Sequence, residues 1–285
     1  MLRTYLPSVV ASCQHSAVSV QLIVADNGST DDSLEVLKKE FPSVKTIVLD
    51  KNYGFAEGYN RAIAQVDDEY VVLLNSDVET PEGWLSPLLA YMDAHPEVAA
   101  VQPKIRSWKN RAYFEHAGAA GGYLNALGYP YCRGRVFTYV EEDKGQYDKI
   151  VSVDWTSGAC MCVRTKVYKE SGGLDGAFFA HMEEIDLCWR MRNKGWKLAC
   201  VPQSVVYHLG GGSLNYDNPR KTYLNFRNNL VMIYKNSRCR WLILFMRFFL
   251  DYMAALLFLL QGNKGSAKAV YEGRRDYHEM RKNYK

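Results

Sequence analysis

The 285-residue sequence has seven cysteines but no Cys-x-x-Cys pair and no spacing typical of a structural zinc site. The odd number and scattered positions predict reduced, buried thiols in the cytosol. Internal repeats and low-complexity segments are absent, and 48% of the residues are hydrophobic, which excludes disordered and collagen-like classes. The first residues contain no long apolar run, so no secretory signal peptide is predicted.

Strong charge of one sign is also lacking. The formal net charge is +4, which is too small to predict a nucleic-acid partner. The charge is uneven, however, because residues 264–285 carry seven Lys or Arg against three acidic residues. A basic segment that follows an apolar one favours contact with an anionic membrane surface.

The apolar segment is Trp241–Leu260, which is interrupted only by Arg247 and Asp251. It is long enough to span a bilayer, but two charges at mid-depth oppose insertion. Their i,i+4 spacing predicts that the two side chains pair, which lowers this cost. We expect a helix that lies on the membrane surface. Two alternatives remain open: a helix packed on the main domain or on a second subunit of a homodimer, and a spanning helix.

Short apolar runs alternate with helical patterns in the first third of the chain. Strands are predicted at Val20–Ala25, Thr46–Leu49 and Tyr70–Leu74, with helices at Ser33–Glu40 and Gly58–Gln65 between them. This alternation predicts an α/β fold with a mostly parallel sheet flanked by helices. We expect one domain over residues 1–235 and a helical extension over residues 236–285.

Polar clusters follow all three strands, at Asp26–Asn27, Asp50–Asn52 and Asn75–Asp77. Open α/β sheets bind ligands at the carboxyl ends of their strands, so these clusters predict a nucleotide pocket. Asp77 is a candidate ligand for Mg²⁺ or Mn²⁺, which grip diphosphates. The alternative for this cluster is a plain strand-ending turn.

Two further clusters contain residues suited to catalysis. Glu183 and Glu184 precede Asp186 at the predicted start of a helix, and paired carboxylates raise each other's pKa and can poise a general base. The alternative is a helix N-terminus with an Asp186–Arg190 pair, which leaves the two glutamates unexplained. His208 precedes three glycines and is either a metal ligand or a packed side chain.

Together these segments resemble the inverting family-2 glycosyltransferases of GT-A fold, in particular their bacterial rhamnosyltransferase-like branch. The resemblance covers about residues 2–235. The matching segments, in the family's order, are Asp26–Ser33, Asn52–Asn60, Leu74–Val78, Ser157–Cys160, Gly172–Asp175 and Phe178–Leu187.

The resemblance implies a role for each motif. Asp26 is expected to read the base of the donor, and Asn52, Gly54 and Asn60 to form the nucleotide and pyrophosphate wall. Asn75 stands where the family's metal motif has Asp; it can coordinate through its amide oxygen but brings no charge.

The remaining roles concern the metal and the acceptor. The resemblance implies that Asp77 and His208 hold Mg²⁺ or Mn²⁺ and that Glu184, where the family often has Asp, is the catalytic base with Glu183 beside it. The residues expected on the acceptor side are Gly158, Ala159 and Asp186.

The implied activity is transfer of a sugar, such as rhamnose from its dTDP derivative, to a glycan or a lipid-linked glycan in polysaccharide synthesis. The protein is expected in the cytoplasm, peripheral to the inner face of the membrane. The family opens with an apolar strand, and Met1 corresponds to the helix that follows it, so we expect this first strand to be missing. The alternatives are a silent nucleotide-sugar-binding protein and a nucleotidyltransferase, although no Gly-rich, basic triphosphate loop is present.

Overall fold

The computed structural model describes residues 1–116, 118–136, 139–210 and 218–284. The helices within these ranges are α1 (Leu2–Gln14), α2 (Ser33–Glu40), α3 (Gly54–Ile63), α4 (Leu85–Ala94), α5 (Thr165–Glu170), α6 (Glu183–Asn193), α7 (Pro219–Asn236), α8 (Arg240–Leu260) and α9 (Lys264–Met280). The strands are β1 (Ile23–Asp26), β2 (Lys45–Val48), β3 (Tyr70–Leu74), β4 (Val78–Glu79), β5 (Val98–Ser107), β6 (Gly122–Leu124), β7 (Pro130–Cys132), β8 (Arg135–Val136), β9 (Tyr139–Val140), β10 (Val151–Ser152), β11 (Cys160–Arg164) and β12 (Lys197–His208). Short 3₁₀ helices cover Gly176–Phe178 and Arg281–Tyr284.

The centre of the molecule is a six-stranded sheet in the order β10-β12-β5-β11-β3, with β4 paired to the end of β12. β5 and β12 are parallel, but β11 runs antiparallel to both of its neighbours. The α/β class is confirmed, whereas the sheet is mixed and not mostly parallel. The apolar run of β11 predicted a buried strand but could not reveal its direction, because direction depends on the long connection that precedes it.

β1 and β2 form a separate parallel pair. Among the described residues, neither strand hydrogen-bonds to the six-stranded sheet. A cavity of about 950 Å³ lies between the two sheets and is lined by residues of both β1 and β3. Among the described residues, β1 and β3 therefore each have one edge without a strand partner, and both strands border this cavity.

The C-terminal helices pack on one another and on the main domain. α7 begins at Pro219, and the side chain of the preceding Asn218 caps the helix. In α8, Arg247 Nε donates to Asp251 Oδ1 at 3.0 Å, and Arg274 of α9 pairs with the same carboxylate. The predicted i,i+4 pair of α8 is thus confirmed, and it faces inward.

α8 is also the one helix in the described ranges that is long and apolar enough to cross a membrane. Most of its apolar side chains face solvent. The exposed ones, called here the apolar face of α8, are Trp241, Leu242, Phe245, Met246, Phe248, Phe249, Tyr252, Met253, Leu256, Leu257, Leu259 and Leu260. The helix is therefore inverted relative to a helix of a globular core, with charges inside and apolar groups outside.

Candidate active site

The ends of β3 and β12 bring Asp77 and His208 together. Val78, the first residue of β4, pairs with His208 in the sheet, which places the preceding Asp77 beside the imidazole. Asp77 Oδ1 and His208 Nε2 are 3.0 Å apart, and Leu209 N donates to the Asp77 carbonyl at 3.1 Å. The structure thus joins two residues that the sequence separates by 131 positions.

His208 lies between two buried carboxylates. Its Nδ1 is 3.6 Å from Glu115 Oε2, on the opposite side of the ring from Asp77. Burial alone lowers the pKa of the imidazole, but the hydrogen bond to Asp77 and the negative charges of Asp77 and Glu115 outweigh burial and raise it to about 9. Without a metal, the His208 ring is therefore a cation paired with Asp77 at neutral pH.

Asp77 and His208 have the chemistry of a site for Mg²⁺ or Mn²⁺. Both line the 950 Å³ cavity, whereas Glu115 does not. A carboxylate oxygen and an imidazole nitrogen at 3.0 Å can share one ion in place of their hydrogen bond. The described residues contain no group of three or more potential ligands. Two protein ligands still fit a cation that also takes water and diphosphate oxygens.

The first turn of α6 carries the two glutamates. Glu183 is 4% exposed, and the Oε2 atoms of Glu183 and Glu184 are both buried without a hydrogen-bond partner. Burial raises the pKa of Glu183 well above its usual range, and the charge of Glu184 raises it further. Burial also raises the pKa of Glu184, an effect partly offset by backbone hydrogen bonds, including one from Gly158. Buried, unpaired carboxyls with raised pKa are typical of catalytic sites.

Gly158 and Ala159 connect the α6 glutamates to Asp77 and His208. A Cβ on Gly158 would lie 3.7 Å from Glu184 Cβ, so Glu184 packs directly against this glycine. The next carbonyl, that of Ala159, accepts a hydrogen bond from Asn75 N at 3.0 Å. The structure therefore places Glu184, Gly158, Ala159 and Asn75 in one contiguous chain of contacts that ends at Asp77.

The predicted donor side is a turn held by asparagine side chains. Asn52 Oδ1 accepts from Gly54 N at 2.8 Å, and Asn27 donates to the Gly54 carbonyl at 2.8 Å. Gly54 has φ +79°, and a Cβ there would lie 2.7 Å from the Phe179 ring. Glycine is thus required at position 54 for both backbone conformation and space.

Asp26 closes the end of β1 and is buried at 5% exposure. Its Oδ1 accepts from Ser29 N at 3.0 Å, which fixes the turn after the strand. The neighbouring Asn27 lines the same cavity as Asn75 and Asp77. The sequence included Asn27 in the polar cluster after the first strand but gave it no individual role.

The Asn60 amide is bound within the protein. Its Oδ1 accepts from Tyr168 Oη at 2.7 Å and from Leu174 N at 2.9 Å, and its Nδ2 donates to the Leu174 carbonyl. These bonds fix the turn after α5 against α3. The donor-side role of Asn60 stays a prediction, and the hydrogen bonds show that its amide holds this turn.

Asp186 is also a structural residue. It is completely buried, and its carboxylate receives Arg190 Nε at 2.8 Å, Lys235 Nζ at 2.9 Å and Asn236 Nδ2 at 2.8 Å. These contacts join α6 to α7. The predicted acceptor-side role of Asp186 is therefore corrected: the alternative of an Asp186–Arg190 pair is what the structure shows.

Two parts of the site could not be found from the sequence. Glu115 lies in the Gly- and Tyr-rich stretch between β5 and β6, where no periodic pattern singles it out. Asn228 lies within the helical pattern of α7, yet it is completely buried and binds the loop before α6. Of the three glycines after His208, Gly210 has φ +67° and contacts Glu115, whereas Gly211 and Gly212 lie outside the described residues.

The chain is similar in sequence to known glycosyltransferases. A family model described as glycosyltransferase like family 2 matches residues 1–241. An N-acetylglucosaminyl-diphospho-decaprenol L-rhamnosyltransferase of Mycobacterium tuberculosis is 28% identical over 212 residues, which cover 70% of this chain and 69% of the relative. Rhamnosyltransferase WbbL of Escherichia coli is 25% identical over 169 residues, which cover 55% of this chain and 61% of the relative.

Solved structures share the fold. GalNAc-T7, crystallised with UDP, GalNAc and Mn²⁺, superposes with a TM-score of 0.60 at 15% identity; the match covers 94% of this chain and 51% of that one. Residues 1–349 of S. aureus TarS superpose with a TM-score of 0.54 at 15% identity, covering 82% of this chain and 63% of that one. The chain thus spans about half of the first structure and less than two thirds of the second. The GT-A fold is confirmed, and with the family match over residues 1–241 the chain belongs to glycosyltransferase like family 2, a family of sugar transferases.

Proposed function

We propose that the chain transfers a sugar from a nucleoside diphosphate sugar to a hydroxyl group of a lipid-linked glycan, with inversion at the anomeric carbon and with Mg²⁺ or Mn²⁺ bound. The observation that carries this proposal is Glu184, a carboxyl with raised pKa and an unpartnered buried oxygen, connected through Gly158 and Ala159 to Asp77 and His208. One base and one cation site are what a direct displacement needs.

The two glutamates divide the work because their burial differs. Glu183 is the more enclosed, and burial raises its pKa well above the usual range, so the folded protein favours its protonated form. In that form Glu183 adds no negative charge beside Glu184. Glu184 takes the proton from the acceptor hydroxyl, whose oxygen forms a bond to the anomeric carbon. The bond from that carbon to the diphosphate oxygen breaks, and its electron pair leaves with the nucleoside diphosphate.

Asp77 and His208 are the residues that would hold the cation, which, when bound, offsets the negative charge of the departing diphosphate. Asn75 sits on the same turn and offers a neutral amide oxygen. The protein's own part is to place one carboxylate and one imidazole at the end of the sheet, in a cavity that also contains Asn27.

The relatives favour a particular donor and acceptor. The names of the mycobacterial relative and of WbbL both specify rhamnosyl transfer, and the former specifies a diphospho-decaprenol carrier. We therefore favour dTDP-rhamnose as the donor and a polyprenyl-diphosphate-linked sugar as the acceptor. The protein would then act in the synthesis of a cell-surface polysaccharide.

The apolar face of α8 supports a membrane-bound acceptor. Trp241, Phe245 and Phe249 are 55–64% exposed on this face, while Arg247 and Asp251 are buried beneath it. A spanning α8 would carry this charged cluster and its partner Arg274 into the bilayer. We propose instead that α8 lies on the inner surface of the membrane, with the apolar face in the interface and the exposed Lys264 and Lys268 of α9 nearby.

Flotation with vesicles tests this placement. The wild type is expected to float with phosphatidylglycerol-containing vesicles and to float less with phosphatidylcholine alone. Phe245→Ser/Phe249→Ser should remain in the dense fraction, whereas Val18→Ser/Val48→Ser, which changes exposed valines elsewhere, should float like the wild type. Failure of the wild type to float, together with a dimer whose formation depends on Phe245 and Phe249, would assign the apolar face of α8 to a second subunit.

The transferase proposal is tested with a panel of donors. dTDP-, UDP- and GDP-sugars are incubated with N-acetylglucosaminyl-diphospho-polyprenol in Mg²⁺, Mn²⁺ or EDTA. We expect transfer from one nucleotide class, abolished by EDTA and by Asp77→Asn. Metal-dependent nucleotide binding without turnover would identify a silent binding protein. Consumption of a nucleoside triphosphate in a parallel incubation with a sugar 1-phosphate would identify a nucleotidyltransferase.

A further inference from the structure

The loop before α6 has an unusual backbone. Phe179, His181 and Met182 have φ values of 65°, 69° and 74°, in the left-handed region that residues other than glycine rarely adopt. Glu183 follows directly. Such a conformation persists only where surrounding contacts hold it, and residues of this kind cluster at functional sites.

One buried side chain of α7 makes three of those contacts. Asn228 Nδ2 lies 3.1 Å from the carbonyl of Phe178, 2.9 Å from that of Ala180 and 2.8 Å from that of His181. Asn228 is completely buried. Its two N–H bonds are therefore shared among three carbonyls of the loop, all of which would lack this partner if the amide were removed.

Arg227 fixes the orientation of that amide. Its Nε donates to Asn228 Oδ1 at 2.9 Å, which leaves the Asn228 nitrogen facing the loop. Its Nη2 donates to the Phe178 carbonyl at 3.2 Å and to the Ala177 carbonyl at 3.3 Å. The guanidinium and the amide thus act together on residues 177–181.

The loop in turn sets both sides of the site. The Met182 carbonyl accepts the Asp186 N–H at 2.8 Å in the first turn of α6, which fixes where Glu184 lies. The Phe179 carbonyl accepts the Phe55 N–H at 3.0 Å, and the Phe179 ring covers Gly54. A change in the loop therefore moves the base and the donor-side turn relative to each other.

We propose that Arg227 and Asn228 are positioning residues that hold the 178–182 loop in its strained conformation and thereby set Glu184 against the acceptor hydroxyl. This inference rests on the proposed function for the role of Glu184. The role of Arg227 and Asn228 in holding the loop does not depend on the proposed function, so this role and the role of Glu184 can be refuted separately.

The matched variants are Asn228→Ala and Asn229→Ala, which remove neighbouring buried asparagines of one helix. Asn229 donates to the Gly128 carbonyl and accepts from Arg247, on the side away from the loop. Two measurements are made on the full chain: steady-state transfer with donor binding, and hydrogen–deuterium exchange of the 176–190 segment.

For Asn228→Ala we expect kcat to fall about 100-fold, the effect of a misplacement near 1 Å, with donor affinity changed less than about threefold. Amides of residues 179–186 should exchange at least about tenfold faster. Asn228→Asp, which turns a carboxylate toward three carbonyls, should match or exceed these losses. Asn229→Ala should lower thermal stability while its kcat per folded molecule stays within about threefold of the wild type, as expected away from reacting groups.

Equal losses of kcat in the two alanine variants, or an unchanged kcat and exchange pattern in Asn228→Ala, would overturn the inference. Faster exchange in Asn228→Ala combined with a wild type that transfers no sugar would keep the role of Asn228 in holding the loop and refute the role of Glu184.

Discussion

The start of α6 and the middle of α8 both bury charged side chains, but they treat them in opposite ways. In α8, Arg247 and Asp251 pair with each other and with Arg274. In α6, Glu183 and Glu184 each keep a buried oxygen without a partner. Paired buried charges specify how helices dock, whereas unpaired ones cost stability and are retained where chemistry needs them. The contrast supports the proposal that the reactive centre lies at the start of α6.

The largest effect is expected where the unpaired charge is removed. Glu184→Gln should lower kcat by about 10²–10⁴-fold, the usual contribution of a general base, because an amide cannot accept the acceptor's proton. Its melting temperature should not fall, since the neutral amide removes a costly buried charge. Parallel kinetics and thermal unfolding test this, and an active Glu184→Gln protein would place the base elsewhere.

Breaking the charged cluster beneath α8 should have the opposite effect, with stability lost and activity kept. Asp251→Ala leaves Arg247 and Arg274 buried without their partner, which should cost about 3–5 kcal/mol of unfolding free energy. Transfer to a soluble acceptor, measured per folded molecule, should be retained. Urea unfolding measures the first quantity and active-site titration corrects the second. A loss of unfolding free energy below about 1 kcal/mol would show that water hydrates the two arginines once Asp251 is removed.

Glu183→Gln is expected to stabilise the protein, and the gain should depend on pH. Because the pKa of Glu183 is raised in the folded state, folding favours its protonated form. Stability from this group is present at low pH and is lost as pH rises through the raised pKa, by at most about 1.4 kcal/mol per pH unit. The advantage of Glu183→Gln in unfolding free energy should therefore grow toward alkaline pH. A stability gain of Glu183→Gln that grows toward acidic pH would show that folding lowers the pKa of Glu183 and does not raise it.

The smallest effect concerns the pH dependence of the wild-type rate. Burial raises the pKa of Glu184, so its basic form is lost as pH falls through a value above that of an ordinary glutamate, about 4.3. The acid limb of kcat should accordingly lie above this value. An acid limb of kcat at or below about 4.3 would indicate that the catalytic base is exposed to solvent.

The sequence predicted local features well. α2 and β3 have the predicted bounds, because an eight-residue amphipathic segment and a five-residue apolar run are each defined by their own residues. The pairing of Arg247 with Asp251 also followed from i,i+4 spacing. The inward direction of that pair did not, since it depends on Arg274 of α9.

What the sequence could not show depends on distant contacts. Asn60 and Asp186 occupy positions that match family motifs, yet their polar atoms are bound within the protein. The partners of Asn60 lie 108 and 114 positions away in the sequence. Those of Asp186 lie 49 and 50 positions away, apart from the nearby Arg190. Asn228 and Glu115 have no local signal, because their significance comes only from the loop and the imidazole that they touch.

The most direct test of a single base acting in a direct displacement is the anomeric configuration of the product, read by proton NMR from transfer by the wild type. Attack of the acceptor oxygen on the face opposite the diphosphate predicts a product whose anomeric configuration is inverted relative to the donor. A product that retains the donor's configuration would require a covalent or front-face mechanism and would contradict the role given to Glu184.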